Sequence, residues 1–259
     1  MDLEIEGRTA LVCGSSRGLG RACADSLAME GVHVVISGRN AEHVRRAVEE
    51  INARGRGRAR PVIGDVTSAE GRAALLESCP DPDILINNSA GPAPKMFADI
   101  DPAEWPGAVE KNMIAPLLLT QAVLPSMKER RFGRIINITS AMVTTPRAHM
   151  ALSAGPRAGL TAAMKAISLD VARYNVTVNN MLPERIDTDR QHYMAEQTAK
   201  RENITYEEAR RRQVASIAAR RLGEPREFGA MCAFLCSGLA GFISGQNVHM
   251  DGGSYPALM

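Results

Sequence analysis

Seven short apolar runs, rich in valine and isoleucine and separated from one another by helical patterns, constrain this chain more than any other feature. They fall at residues 9–14, 33–37, 61–66, 83–88, 134–139, 177–182 and 247–251. Near-continuous apolar strands mark a sheet buried on both faces. Between them the spacing turns helical: Leu160, Met164, Ile167 and Val171 fall on one stripe. Strand–helix alternation with right-handed crossovers predicts an α/β fold, a doubly wound parallel sheet of about seven strands. With 259 residues, 45% of them hydrophobic, the chain can bury one large core as a single domain over residues 1–259. Residues 187–221 break the rhythm. They are polar, charged and without a strand signal, a length that predicts a substrate lid; a solvated helix face is the alternative.

Composition excludes several classes. A formal net charge of +2 gives no reason to invoke nucleic acid or an anionic membrane. The one dense basic run, Arg-Gly-Arg-Gly-Arg-Ala-Arg at 54–60, reads as a solvated loop. Five cysteines form an odd set without metal-ligand spacing, so reduced thiols in a cytoplasmic protein and no metal are expected. Cys232 and Cys236 sit four apart on an apolar helix and read as core. The first residues lead directly into structure, and no apolar run reaches the roughly 18 residues of a membrane span.

The first motif with chemistry in it is Cys13-Gly-Ser-Ser-Arg-Gly-Leu-Gly20, which follows an apolar strand and opens a helix. Glycines there allow positive φ and close approach of a pyrophosphate to the backbone. The helix N-terminus adds free N–H groups and partial positive charge. The spacing Gly14-x-x-x-Gly18-x-Gly20 resembles that of the short-chain dehydrogenase/reductase superfamily, and the resemblance continues in order along the chain. It runs through Asp65-Val66, Asn87-Asn-Ser-Ala-Gly91, Asn112, Ile135-Ile-Asn-Ile-Thr-Ser140, Asn179-Asn-Met-Leu-Pro183, Ile186-Asp-Thr188 and Gly245-Gln-Asn-Val-His-Met-Asp-Gly-Gly253. It implies a Rossmann-type fold and cofactor contacts from Gly14, Ser16, Arg17, Gly18, Leu19, Gly20, Asp65, Val66, Asn88, Ala90, Gly91, Pro183, Ile186 and Thr188. It also implies a catalytic asparagine at Asn112, a substrate-orienting serine at Ser140, and a homotetramer or homodimer through the long helices bearing Asn112 and Leu160. Glu184 stands where the family has glycine.

Charge indicates the cofactor. The second strand ends Ile36-Ser37-Gly38-Arg39, with no carboxylate to hold a ribose 2′-hydroxyl. Arg39 and Arg17 can fork onto a 2′-phosphate, which favours NADP(H) over NAD(H).

One element is missing. The family's proton donor is a Tyr-x-x-x-Lys pair, and none of Tyr174, Tyr193, Tyr206 and Tyr255 has lysine four residues on. Counting back from Gly159-Leu160-Thr161 places Met150 at the tyrosine and Ala154 at the lysine. Neither donates a proton, and general acid–base catalysis contributes about 10²–10⁴-fold. His149, beside the vacated position, can exchange a proton near neutrality. Arg157, one helical turn past Ala154, can supply the cation but not the acid. Ser153, His192 and Tyr193 are further candidates. An Arg after the vacated motif and a long lid resemble an atypical group in the β-ketoacyl carrier-protein reductase-like branch. That implies a carbonyl/alcohol oxidoreductase, with a 3-oxoacyl-like small molecule as one possible substrate. The alternatives are a non-redox lyase, dehydratase or isomerase, or a catalytically inactive NADP(H)-binding protein.

Overall fold

The computed structural model describes residues 1–54 and 56–258; Gly55, inside the basic run, lies outside the described residues. In chain order the regular elements begin β1 (Thr9–Val12), α1 (Gly18–Met29), β2 (His33–Gly38), α2 (Ala41–Asn52), β3 (Ala59–Ile63), α3 (Ala69–Ser78) and β4 (Ile84–Asn87). They continue α4 (Glu104–Val109), α5 (Ala115–Arg130), β5 (Gly133–Ile138), α6 (Ala151–Val171), β6 (Val176–Pro183), α7 (Asp189–Glu202), α8 (Tyr206–Ala215), α9 (Pro225–Leu235) and β7 (Asn247–Met250). The seven strands form one parallel sheet in the order β3-β2-β1-β4-β5-β6-β7. The order reverses between β1 and β4. A crevice opens there at the strands' carboxyl ends, where doubly wound sheets bind ligands.

Both faces of the sheet are apolar, as the sequence predicts. Ala10, Val12, Ile84, Ile86, Ile136 and Ile138 point to one side, into a core completed by α1, α2 and α9. Leu11, Leu85 and Ile135 alternate to the other, where Leu75 of α3, Leu119 and Val123 of α5 and Leu160 and Met164 of α6 cover them. All five cysteines are buried and free. Burial pushes the Cys13 thiol up to about 12, so it is inert rather than nucleophilic. Among the described residues no helix is long and apolar enough to cross a membrane, and no His, Cys, Asp or Glu cluster could hold a metal.

The third strand lies earlier than its sequence signal, at Ala59–Ile63 rather than 61–66, so Arg60 of the basic run is a strand residue. It is the sheet's edge, where Pro61 sacrifices no ladder bond on the solvent side. Asp65 has left the ladder for an Asx turn, its Oδ1 accepting from Thr67 N at 2.9 Å and Thr67 Oγ1 at 2.7 Å. Ser68 then caps α3 through Gly71 N at 3.0 Å.

Beneath the crevice an asparagine ladder crosses four strands. Asn87 Nδ2 donates to Asn137 Oδ1 at 2.9 Å, Asn137 Nδ2 to Asn180 Oδ1 at 3.0 Å, and Asn180 Nδ2 to Asn247 Oδ1 at 2.9 Å. These residues are also partners in the strand register. A one-residue slip would bury unpaired amides, so the ladder pins the register.

Residues 187–221 are not an irregular loop. They fold as α7 and α8, packed through the buried Ala195 and Ala209. Arg210 Nη2 to Asp187 Oδ1 (2.7 Å) and Gln213 Nε2 to the Gln191 carbonyl (3.0 Å) tie the pair together. The base is stitched shut by Asp187 N to Gly223 O at 2.8 Å and Gly223 N to Arg185 O at 3.1 Å.

Candidate active site

A cleft of about 570 Å³ lies over the switch point, a size suited to a small-molecule ligand. Its first wall is the β1–α1 turn. Gly14 and Gly18 take φ of +55° and +60°, which other residues adopt only under strain. A Cβ on Gly20 would lie 2.5 Å from the Gly14 carbonyl oxygen, so glycine here permits helix–strand contact. The turn is clamped from both sides. Gly14 N donates to Ser37 Oγ at 3.2 Å, and Asn88 Nδ2 donates to the Cys13 and Gly14 carbonyls at 3.3 and 3.1 Å. Helix α1 begins with no side-chain cap and no acidic residue in its first turn. Its N–H groups are therefore available to an anion.

Next along this wall, Arg39 meets Asp65 at 3.6 Å and Arg17 meets Asp189 at 3.4 Å. Both arginines are largely solvent-exposed, so each pair contributes little and yields to a better anion. Burial works against ionisation of Asp65. Bonds from Thr67 and the charges of Arg39 and Lys111 outweigh it and hold the carboxyl below its ordinary value.

Another wall carries Met150, Ser153 and Arg157, at the start of α6. Met150 and Ala154 pack with Ala141 and Met142 into a small apolar cluster. Arg157 reaches in below them. Its Nη1 donates to the Ile138 and Thr139 carbonyls at 2.8 and 3.1 Å and its Nη2 to the Ser89 carbonyl at 3.3 Å, bridging the carboxyl ends of β4 and β5. The guanidinium is buried; desolvation, with Arg190 nearby, lowers its pKa to about 10, so it remains charged at neutral pH. Ser140 Oγ accepts from Met142 N at 3.2 Å.

Of the sequence-predicted site residues, Gly14, Ser16, Arg17, Gly18, Leu19, Arg39, Asp65, Val66, Asn88, Ala90, Gly91, Ser140, His149, Arg157, Pro183, Ile186 and Thr188 line this one cleft. Gly20 and Asn112 do not. Gly20 lies beneath the turn, and Asn112 is buried on a π-helical turn between α4 and α5. Its Oδ1 is 3.3 Å from Ser89 Oγ, so it reaches the cleft through the residue whose carbonyl holds Arg157. Ser153 lines the cleft, whereas His192 and Tyr193 do not. Both side chains are engaged elsewhere: His192 Nδ1 lies 2.5 Å from the Tyr206 hydroxyl and Tyr193 packs under Arg190. Burial first, then Arg201, Arg147 and Arg185, hold the His149 imidazole below its ordinary pKa.

Four lysine and arginine residues of the lining lay outside the sequence reading: Lys111, Arg147, Arg185 and Arg190. Arg190 follows Ile186-Asp-Thr188 by two residues, and extending that motif would have reached it. Arg147 had no such signal, because its ion pair with Glu184 at 2.7 Å joins separate loops. Arg185 sits at φ +57°, beside the glutamate that replaces a glycine.

The model of the family described as enoyl-(acyl carrier protein) reductase matches residues 14–255. The NADPH-dependent reductase BacG of Bacillus subtilis is 33% identical over 256 residues, spanning 97% of this chain and 99% of its own. The 3-oxoacyl-[acyl-carrier-protein] reductase FabG of Vibrio cholerae is also 33% identical, over 98% of this chain and 99% of its own. Among solved structures, L-sorbose reductase of Gluconobacter frateurii, complexed with NADPH and L-sorbose, superposes with a TM-score of 0.94 at 27% identity, covering 100% of both chains. YwfH, an NADPH-dependent reductase involved in bacilysin biosynthesis, gives 0.91 at 32% identity over 98% of this chain and 100% of its own. Matched in sequence and in fold along nearly its whole length, the chain belongs to the short-chain dehydrogenase/reductase superfamily.

Proposed function

We propose that this protein is an NADP(H)-dependent oxidoreductase acting on a carbonyl/alcohol substrate, with Arg157 supplying the fixed positive charge that its family draws from lysine. The observation that carries the reading is the Arg157 guanidinium, held by three main-chain carbonyls on the floor of the cleft. NADPH-dependent relatives aligned over nearly the whole chain support the cofactor assignment. So do the uncapped α1 N-terminus, the close approach allowed at Gly20, and two cleft arginines whose exposed ion pairs a 2′-phosphate can displace.

When bound, the reduced nicotinamide supplies a hydride to the carbonyl carbon. The chain must then orient the carbonyl, stabilise the charge developing on its oxygen and deliver a proton there. Ser140 and Ser153 place hydroxyls on the cleft wall for orientation. Arg157 holds positive charge in a site largely screened from water, where it acts strongly on developing negative charge. Met150 and Ala154 leave proton delivery to another group; of the two histidines that line the cleft, His43 and His149, the one next in sequence to Met150 is His149, and its ordinary pKa lies near neutrality. Residues 187–221 serve as the substrate lid, since Thr188, Arg190, Gln191 and Met194 face the cleft. Assembly into a homodimer or homotetramer through α5 and α6 would cover Leu118 and Leu169, which are 39% and 74% exposed. Reduced, buried thiols accord with a cytoplasmic protein.

Calorimetric titration with NADPH, NADH and their oxidised forms, followed by a carbonyl screen read as loss of NADPH absorbance, tests this. The expected result is NADPH-selective binding and carbonyl-dependent oxidation. Turnover without cofactor would support the non-redox alternative; binding with no hydride transfer to any carbonyl would support a binding protein.

A further inference from the structure

Six arginines line the cleft: Arg17, Arg39, Arg147, Arg157, Arg185 and Arg190. Four have carboxylate neighbours, namely Arg17 with Asp189, Arg39 with Asp65, and Arg147 and Arg185 with Glu184. Arg157 and Arg190 differ. Among the described residues neither meets a carboxylate; Arg157 is held by the three carbonyls already named and Arg190 by the Pro92 carbonyl at 2.7 Å. The two converge. A point one bond out from the Gly91 Cα lies 3.6 Å from Arg157 Nη2, 3.8 Å from Ser153 Oγ and 4.0 Å from Arg190 Nη2. Gly91 has no side chain to occupy it.

Two like charges brought together in a partly desolvated wall are unfavourable unless an anion joins them. The carbonyls leave part of each five-donor guanidinium uncommitted, and the fork geometry matches carboxylate oxygens. We infer that Arg157, Arg190 and Ser153 form a receptor for a substrate carboxylate, so that the physiological substrate is an oxo acid or its hydroxy-acid counterpart. The inference rests on the reductase reading for the carbonyl but not for the anion. The cofactor's phosphates have their own receptor at the α1 N-terminus, on the other wall. Arg190 lies in the first turn of α7 and Arg157 on the floor. A carboxylate between them would tie the lid to the floor and bring the oxo group beside Ser140 and His149.

Malonate, with neutral malonamide as control, is the probe. It is titrated calorimetrically into the protein alone and into the protein saturated with NADP⁺, for wild type, Arg190→Leu, Arg190→Lys and the remote surface variant Arg173→Leu. The expected result is malonate binding in the presence of NADP⁺, weakened at least ~10-fold by Arg190→Leu, as loss of a charged hydrogen bond predicts. Arg190→Lys should recover part of it, while Arg173→Leu leaves malonate affinity unchanged and Arg190→Leu leaves NADP⁺ affinity within about twofold. Exclusion of malonate by NADP⁺, with Arg190→Leu weakening NADP⁺ itself, would assign the pair to the cofactor and overturn the inference. Equal binding by wild type and Arg190→Leu, or equal binding of malonamide, would also overturn it. Malonate binding to the protein alone, with no NADP⁺ affinity, would sustain the anion receptor and refute the reductase reading.

Discussion

The two walls of the cleft are made differently. On the Gly14–Gly20 side the working groups are main-chain amides, helix α1 and the absence of Cβ atoms; on the Met150–Arg157 side they are side chains. Backbone function depends on φ values and close approaches. A Cβ at Gly20 would enter the Gly14 carbonyl at 2.5 Å, which no neighbouring substitution can relieve. Side-chain function is more easily relocated. In the mechanism proposed above, the positive charge that Ala154 cannot carry is supplied by Arg157, one helical turn along, with the sheet's β5–β6 pairing intact over six residues of register. One wall therefore keeps its motif while the other can change residues and keep a charge, which is why fold alone does not fix chemistry.

The largest expected effect strikes the relocated charge. Arg157→Met should lower kcat roughly 10²–10³-fold with NADPH saturating, the range seen when a preorganised stabilising donor is removed. Arg157→Lys should recover part of the loss. An unchanged kcat in Arg157→Met would break the comparison, because the side-chain wall would then contain no relocated cation. The backbone wall also carries exposed side chains at its rim, and there the matching change is Arg39→Asp. A charge-assisted hydrogen bond contributes about 1.5–3 kcal/mol, so NADPH affinity should fall roughly 10- to 100-fold, with NADH affected far less. Equal losses for both cofactors would remove Arg39 from 2′-phosphate recognition.

Beneath both walls lies the asparagine ladder, and Asn137→Leu tests whether they share that base. The substitution strands the buried side-chain amide oxygen of Asn180, which accepts from Asn137, whereas Asn87 Nδ2 keeps the Thr120 hydroxyl at 3.2 Å. A loss of about 1–3 kcal/mol for that unsatisfied group is expected in urea unfolding. Full stability would mean that apolar packing alone fixes the register of β4, β5 and β6.

The same contrast explains what was legible in the sequence. Apolar runs placed the strands within a residue or two because burial on both faces leaves no ambiguity of period, as at Ile84–Asn87 and Val176–Pro183. The third strand was displaced because Asp65 prefers an Asx turn to the ladder, a competition that apolarity does not record. The glycine turn was legible because its chemistry is its spacing. The ladder lay inside motifs read for other purposes, and its pairing exists only across strands. Arg190 and Arg147 were hidden for a related reason: each acquires meaning from a partner far along the chain, Pro92 and Glu184. His192, a candidate donor by residue type, is engaged instead by Tyr206 of α8, fourteen residues on.

The smallest expected effect concerns the proton. His149 loses protons more readily than a free imidazole, because burial and then Arg201, Arg147 and Arg185 oppose its positive form. If it supplies the proton in carbonyl reduction, the active form is the imidazolium. The rate should then fall as pH rises through a midpoint below the ordinary value of 6.5, by up to ~10-fold per unit above it. The stability sign is opposite. The unfolded chain binds this proton more tightly, so His149 destabilises the fold at pH below its lowered pKa, and the penalty disappears as pH rises through 6.5. His149→Asn should lower the rate at acid pH, flatten the fall above that midpoint and remove that part of the acid destabilisation. A variant with relieved acid lability and an unchanged rate profile would leave the imidazole as a structural neighbour of the cleft arginines and move proton delivery to Ser140 or Ser153 with water.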